Sequence, residues 1–316
     1  MIDSTVDFKI PSASFQIDHK DSLLFIGSCF SEDIGNKAKF FGFNSLSNPF
    51  GTTFHPAVIV RNIKKALAQE PLSKKEIIEH QGVYFSWDTS GKIFGYSEEE
   101  IIKQYTRIQG KFRESLLKSK VLFITLGTAF GYDLITEEYV VSNCHKQPST
   151  VFNKRLYSVN QMLEEWIDII NVLKDLNPVL EIVFTISPVR HIRDGLIENN
   201  RSKAILIDLV NQITSKKEVH YFPSYEIMID ELRDYRYYKI DKIHPSDEAI
   251  SYIWRKFSEI YFNQDTNDIN QKVEKLRLGM QHKTFYKESL AFKSFQDNLK
   301  TQLQSFKEDY PFISLD

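Results

Sequence analysis

The chain has 316 residues, 42% of them apolar and 26% charged, a balance that suits one large globular domain or two smaller ones. A formal net charge of −2 leaves no basic footprint for nucleic acid or an anionic membrane surface, and no apolar run reaches the ~18 residues of a membrane-spanning helix. Only Cys29 and Cys144 are present and Met1-Ile2-Asp3-Ser4 opens no secretory signal, so a disulfide framework is excluded and a reduced, cytoplasmic protein is expected.

Residues before Asp21 carry scattered apolar positions (Phe8, Ile10, Phe15, Ile17) and read as an extended lead-in that packs on the domain. Leu23-Leu24-Phe25-Ile26 is a short apolar run closed by Gly27, the pattern of a buried parallel strand. Ser31-Glu32-Asp33-Ile34 looks like a helix start, and the helix is predicted over Ile34 to Phe43. Asn44 to Pro56 is predicted as a loop because two prolines and a glycine forbid a regular helix. Ala57 to Gln69 is an amphipathic helix. Val83 to Trp87 and Lys92 to Tyr96, joined by Asp88-Thr89-Ser90-Gly91, read as a β-hairpin inserted beside the sheet.

Glu98 to Lys118 is helical, and Val121 to Leu126 is the clearest buried strand, again followed by Gly127. Tyr132 to Val141 reads as a second hairpin. Ser158 to Leu176 is a helix with an apolar stripe through Met162, Trp166, Ile169 and Leu173. Glu181 to Ser187 is a strand broken by Pro188. A helix over Asn200 to Thr214, a short strand over Glu218 to Phe222 and a helical turn over Tyr225 to Arg233 follow. Ser246 to Phe257 is a helix behind the loop Asp241-Lys242-Ile243-His244-Pro245. Alternation of strands and helices argues for a mostly parallel sheet covered on both faces. Asp265-Thr266-Asn267-Asp268 reads as a linker. Beyond it, apolar residues at helical spacing (Ile269, Val273, Leu276, Met280, then Phe292, Phe295, Leu299, Leu303, Phe306) predict two amphipathic helices. Their stripes need a partner, either the parent domain or a second copy of the chain.

Ser28 stands where an open α/β sheet binds ligands, at the carboxyl end of a strand and the start of a helix. There its Oγ is presented beside helix-terminal N–H groups that suit an oxyanion. The same position also suits a plain helix N-cap. A serine nucleophile needs a base held by a third group. Of the eight histidines, His244 has Asp241 three residues before it in the same loop, a spacing that also fits a local turn with a surface histidine. His55, His145 and His191 lie in loops able to line a cleft. Cys29 offers a rival thiol chemistry, and its adjacency to Ser28 points it instead under the first helix. His145, His191, Cys144 and Asp241 lack close ligand spacing, so neither a metal nor another cofactor is expected.

Taken together, Gly-Ser after the first strand and Asp-x-x-His-Pro before a late helix resemble the SGNH (GDSL-like) hydrolase superfamily. The similarity narrows through Gly27-Ser28-Cys29-Phe30, Asn48-Pro49-Phe50-Gly51, Thr125-Leu126-Gly127-Thr128-Ala129, Asn143-Cys144-His145-Lys146, Ser187-Pro188-Val189-Arg190-His191 and Pro223-Ser224-Tyr225-Glu226 to the GSCFA family. It runs from about Phe15 to about Phe257. The resemblance implies a three-layer α/β/α sheet of flavodoxin-like order over residues 1–262, with hairpin insertions, followed by a helical extension over 263–316. It implies Ser28 as nucleophile, His244 as general base and Asp241 as its orienter. Oxyanion donors would be the backbone of Cys29 and of Gly51. The block that usually reads Gly-x-Asn-Asp is Gly127-Thr128-Ala129-Phe130 here, so the side-chain donor is absent, and Asn143 or Asn48 would have to replace it. Arg190, His191, His145, Asn48 and Asn143 are candidate substrate contacts, with Arg190 suited to a carboxylate or phosphate.

The expected function is hydrolysis or acyl transfer on a small-molecule or carbohydrate ester through an acyl-enzyme. A binding protein for an acylated or carbohydrate ligand on a degenerate site is the alternative. The expected partners are that substrate and, through the C-terminal helices, a second copy of the chain.

Overall fold

A computed structural model describes residues 8–137, 139–286 and 288–315; residues 1–7 of the expected lead-in and Glu138 of the second hairpin fall outside them. In chain order the main elements are β1 (Ser22–Gly27), α1 (Cys29–Phe40), β2 (Asn44–Ser47), α2 (Pro56–Ala68), β3 (Ile77–His80), β4 (Val83–Ser86), α3 (Glu98–Lys118) and β5 (Val121–Leu126). They continue with β6 (Phe130–Leu134), β7 (Tyr139–Val140), β8 (Phe152–Leu156), α4 (Asn160–Leu176), β9 (Glu181–Ile186), α5 (Leu196–Lys216) and β10 (His220–Tyr221). Last come α6 (Ser224–Glu226), α7 (Asp247–Tyr261), α8 (Gln264–Gln281) and α9 (Leu290–Asp309).

The central sheet runs β10-β9-β5-β1-β2 with every pairing parallel, which is the flavodoxin-like order. Period-2 alternation within each strand explains the three layers. From β1, Leu24 and Ile26 join the core built with α2, α3, α4 and α5, whose largest buried ring is Trp166. Leu23 and Phe25 point the other way, to a core with Phe30 and Ile34 of α1 and Ile253, Trp254 and Phe257 of α7. Both faces are buried, so the strands read as continuous apolar runs.

Several expected boundaries shift. The first helix begins at Cys29, not near Ile34, because the Ser28 hydroxyl caps it by accepting from Phe30 N (3.3 Å). The predicted loop from Asn44 opens with the edge strand β2, whose polar Asn-Ser-Leu-Ser text hides it. Val83–Ser86 pairs antiparallel with Ile77–His80 across Gln81-Gly82, both at positive φ; the expected partner, Lys92 to Tyr96, reaches it only at the Tyr84–Gly95 bridge. The second hairpin is a three-stranded sheet, β7-β6-β8. The 265–268 stretch is not a linker but the first turn of α8, capped by Asn263.

The two small sheets meet at Asp88, which is fully buried. Arg61 Nε (2.8 Å) and Lys65 Nζ (2.9 Å) from α2 donate to its carboxylate, as does the Tyr139 hydroxyl from β7. Burial opposes ionisation of Asp88, but the two cations outweigh it and hold the carboxyl below its usual range.

The C-terminal helices pack mainly on each other, around Val273, Leu276, Phe306, Ile313 and Leu315. Of the predicted stripe on α9, Phe306 is buried while Phe295 is exposed. The pair is tied to the main domain by Thr266 Oγ1 donating to Ile17 O (3.1 Å) and Arg277 Nε to Phe40 O (2.5 Å). No helix among the described residues is long and apolar enough to cross a membrane.

Candidate active site

Gly27 makes the turn that presents Ser28. Its φ is +123°, and a Cβ built there would lie 2.1 Å from Thr125 O on the neighbouring strand. A side chain at this position is both strained and obstructed. Gly27→Ala is therefore expected to destabilise the fold by about 3 kcal/mol or more, read as a lower denaturant midpoint at unchanged slope. An unchanged midpoint would show that β1 and β5 can separate there at no cost.

Asn48, at φ +42°, holds this turn in place: its Oδ1 accepts from Gly27 N (2.8 Å) and its Nδ2 donates to Ser28 O (3.1 Å). It thereby supports the serine loop, with its Oδ1 and one Nδ2 hydrogen engaged there. Gly51 is likewise engaged within this loop. Its N–H donates to Asn48 O (2.7 Å), and its missing side chain makes room for Ser90, whose Oγ lies 1.9 Å from where a Cβ would stand. His145 is buried, stacked on Phe85, with Nε2 2.9 Å from Ser86 O, so it braces the insertion instead of facing a ligand. Burial keeps its imidazole below the ordinary pKa, as a neutral ring in such a position must be.

Ser28 is fully buried, and its Oγ donates to Ser187 Oγ at the end of β9 (2.9 Å). Among the described residues it has no hydrogen bond to His244. The Asp241–His244 pair is formed: Asp241 Oδ2 lies 2.7 Å from His244 Nδ1, while Asp241 Oδ1 accepts from Ile243 N (2.9 Å) and His244 N (3.0 Å). The His244 bond, with these two amides, holds the Asp241 carboxyl down at about 2. With an ionised carboxylate at Nδ1, that nitrogen carries the proton and Nε2 is left as an acceptor. The loop that carries His244 sits at the same sheet edge as Ser187, because Arg190 N donates to Ile243 O (3.2 Å) and Arg190 Nη1 to Lys242 O (3.2 Å). The His244 charge is also felt by His191 and by Asp33 of α1.

A cleft of about 410 Å³ opens at this edge, lined by Phe54, Thr128, Phe130, Tyr132, Asn143 and His191 among others, with Arg190, Arg193 and Lys154 at its walls. Arg190, His191 and Asn143 line this cleft, and Asn143 Oδ1 accepts from His145 N (2.8 Å). Burial, and then the charges of Lys203 and His244, push the His191 imidazole down to about 3, and its Nε2 has no hydrogen-bond partner among the described residues. The Cys29 thiol is pushed up to about 11, by burial first and the Asp33 charge second, so at neutral pH it is no thiolate. The Cys29 N–H remains as a first-turn amide that an α-helix leaves without an internal acceptor. No group of three or more metal-ligating side chains is found among the described residues.

Sequence reasoning gave no role to Ser187, read as a strand end and as the start of the Ser187-Pro188-Val189-Arg190-His191 block, nor to Lys203. The latter had a signal: it stands on the apolar stripe of α5 with Leu206 and Val210, three and seven residues on, where a solvated lysine does not belong.

No curated protein matches the chain. Among solved structures, an acetyl xylan esterase (Est2A) from the rumen bacterium Butyrivibrio proteoclasticus is similar at 10% identity and a TM-score of 0.34, over 80% of this chain and 64% of that one. The chain therefore spans less than two thirds of the esterase's length. The model of the GSCFA domain protein C-terminal domain matches residues 273–316. The model of the GSCFA family matches residues 22–257, from β1 into α7, a span that includes Ser28, Asp241, His244 and the cleft residues, and the chain belongs to that family.

Proposed function

We propose that the chain is a serine hydrolase of the SGNH type that cleaves an ester through an acyl-Ser28 intermediate. The observation that carries this reading is the Asp241–His244 pair, 2.7 Å apart, at the sheet edge where Ser28 heads α1. In the resting chain Ser28 Oγ rests on Ser187. On substrate binding it turns to His244 Nε2, which takes its proton as Oγ attacks the ester carbonyl. The helix-terminal N–H of Cys29 faces the oxyanion. His244 returns the proton to the departing alcohol, and then draws a proton from the water that releases the acid. An alcohol in place of that water turns hydrolysis into acyl transfer. The cleft takes the rest of the substrate, with Arg190, His191 and Asn143 along it. Both cysteines are free, which fits a reducing, cytoplasmic setting.

A ligand-binding protein without turnover is the second reading, favoured by the Ser28–Ser187 bond. A fluorophosphonate probe separates the two. The hydrolase reading expects one adduct per chain, mapped to Ser28 by peptide mass. An unlabelled chain, together with no release of p-nitrophenol from short acyl esters, sinks the hydrolase and leaves the binder.

A further inference from the structure

Lys203 of α5 is fully enclosed by the protein, yet forms no ion pair with a carboxylate among the described residues. Its Nζ donates to Gly127 O (2.8 Å) and Ser187 O (2.7 Å), the carbonyls that follow β5 and β9. The other buried lysine among the described residues, Lys65, sits on the Asp88 carboxylate beside the part-buried Arg61. An enclosed ammonium without an anion is costly, and its retention calls for a reason beyond packing. The reason lies one residue away. Ser187, whose carbonyl holds the ammonium, also holds the Ser28 hydroxyl through its own Oγ.

We propose that Lys203 is a positioning residue of the site: its ammonium ties the carboxyl ends of β5 and β9 together beneath the Ser28–Ser187 pair. From there it lays positive potential under the oxyanion that forms at Ser28. This role deepens the hydrolase reading and rests on it. With Gly51 N–H and the Asn48 amide already engaged, hydrogen-bond donors at the serine turn are few. A fixed charge in a water-poor interior supplies what they do not, with no reorganisation during reaction.

The ionisable groups that face Lys203 are the Cys29 thiol on α1, the His191 imidazole in the loop after β9 and the Tyr225 ring of α6, its centroid 5.7 Å from Nζ. None is an anion at neutral pH, and burial pushes the lysine down to about 7. Two consequences follow in opposite directions. Between about 7 and its ordinary 10.5 the folded lysine binds fewer protons than the unfolded one, so its contribution makes stability rise with pH across that window. The rate at Ser28 should fall across pH 7 as the charge is lost.

The test compares the full-length chain with Lys203→Met, and with Lys203→Gln should Met fold poorly. It reads the pH dependence of fluorophosphonate labelling and of kcat/KM on p-nitrophenyl acetate. Expected are a kcat lower by about tenfold or more with KM little changed, loss of the parent's alkaline decline near pH 7, and a variant more thermostable than the parent at pH 6 by a margin that shrinks toward pH 10. A parent that labels at Ser28, beside a variant with the same rate and the same alkaline limb, overturns the role of Lys203 alone. A variant that is slower at every pH by one constant factor also overturns it, since the lysine is then only a brace. A parent that never labels overturns the hydrolase reading and this inference with it.

Discussion

Ser28→Ala is expected to reduce ester hydrolysis by about 10⁴-fold or more and to abolish fluorophosphonate labelling. The chain should still fold. The substitution removes the N-cap of α1, which costs about 1 kcal/mol, and leaves Ser187 Oγ without its donor. A midpoint lower by a few degrees is the expected accompaniment. Such a loss of cap energy is too small to explain a loss of rate of that size. The adjacent thiol provides the internal control. Cys29 sits about 11 and half-buried, so Cys29→Ala should keep both labelling and turnover near the parent's level. Activity that survives in Ser28→Ala and disappears in Cys29→Ala would transfer the chemistry to sulfur.

The base should show an equally large effect through a smaller change. Asp241→Asn keeps a side-chain oxygen for Ile243 N and His244 N, so the loop should hold. It replaces the carboxylate oxygen at His244 Nδ1 with an amide that donates. The imidazole then carries its proton on Nε2 and cannot accept one from Ser28. A fall in kcat of about 10³–10⁴-fold is expected, with little change in melting temperature. His244→Ala should lose at least as much and the double variant scarcely more, because the members act as a unit. The parent's kcat/KM should decline on the acid side as His244 gains a proton. Asp241, held at about 2, stays ionised far below that limb and does not contribute to it. A single-turnover acylation rate unchanged in Asp241→Asn would remove the pair from the mechanism.

What the sequence could show depended on how local each device is. The apolar runs of β1, β5 and β9 are buried on both faces and announce themselves. Edge strand β2 is only partly buried and β8 alternates with Asn153, Lys154 and Arg155, so neither looked like a strand. Asn263 was a cap signal for α8 that the polar text after it obscured. Ser28 and the Asp241–His244 spacing were legible because a strand end and a three-residue turn are short-range facts. Asn48, Gly51 and His145 stand in the loops where the sequence placed them, and the folded chain shows the bonds each already makes. Composition identifies a donor, and only the folded chain tells whether that donor is already taken. Lys203 looked like any helix lysine until its surroundings were known.

One side of the cleft, with Phe130, Tyr132 and Asn143, belongs to the inserted strands and their loops, while Arg190 and His191 come from the loop after β9. These strands join the main body at the Asp88 carboxylate, clasped by Arg61 and Lys65, at the bond from Arg61 Nη2 to Val140 O (2.7 Å), and through Val140 and Tyr157 in the main core. The lining of the cleft is therefore drawn from two parts of the fold, with the charged clasp at Asp88 helping to hold one against the other.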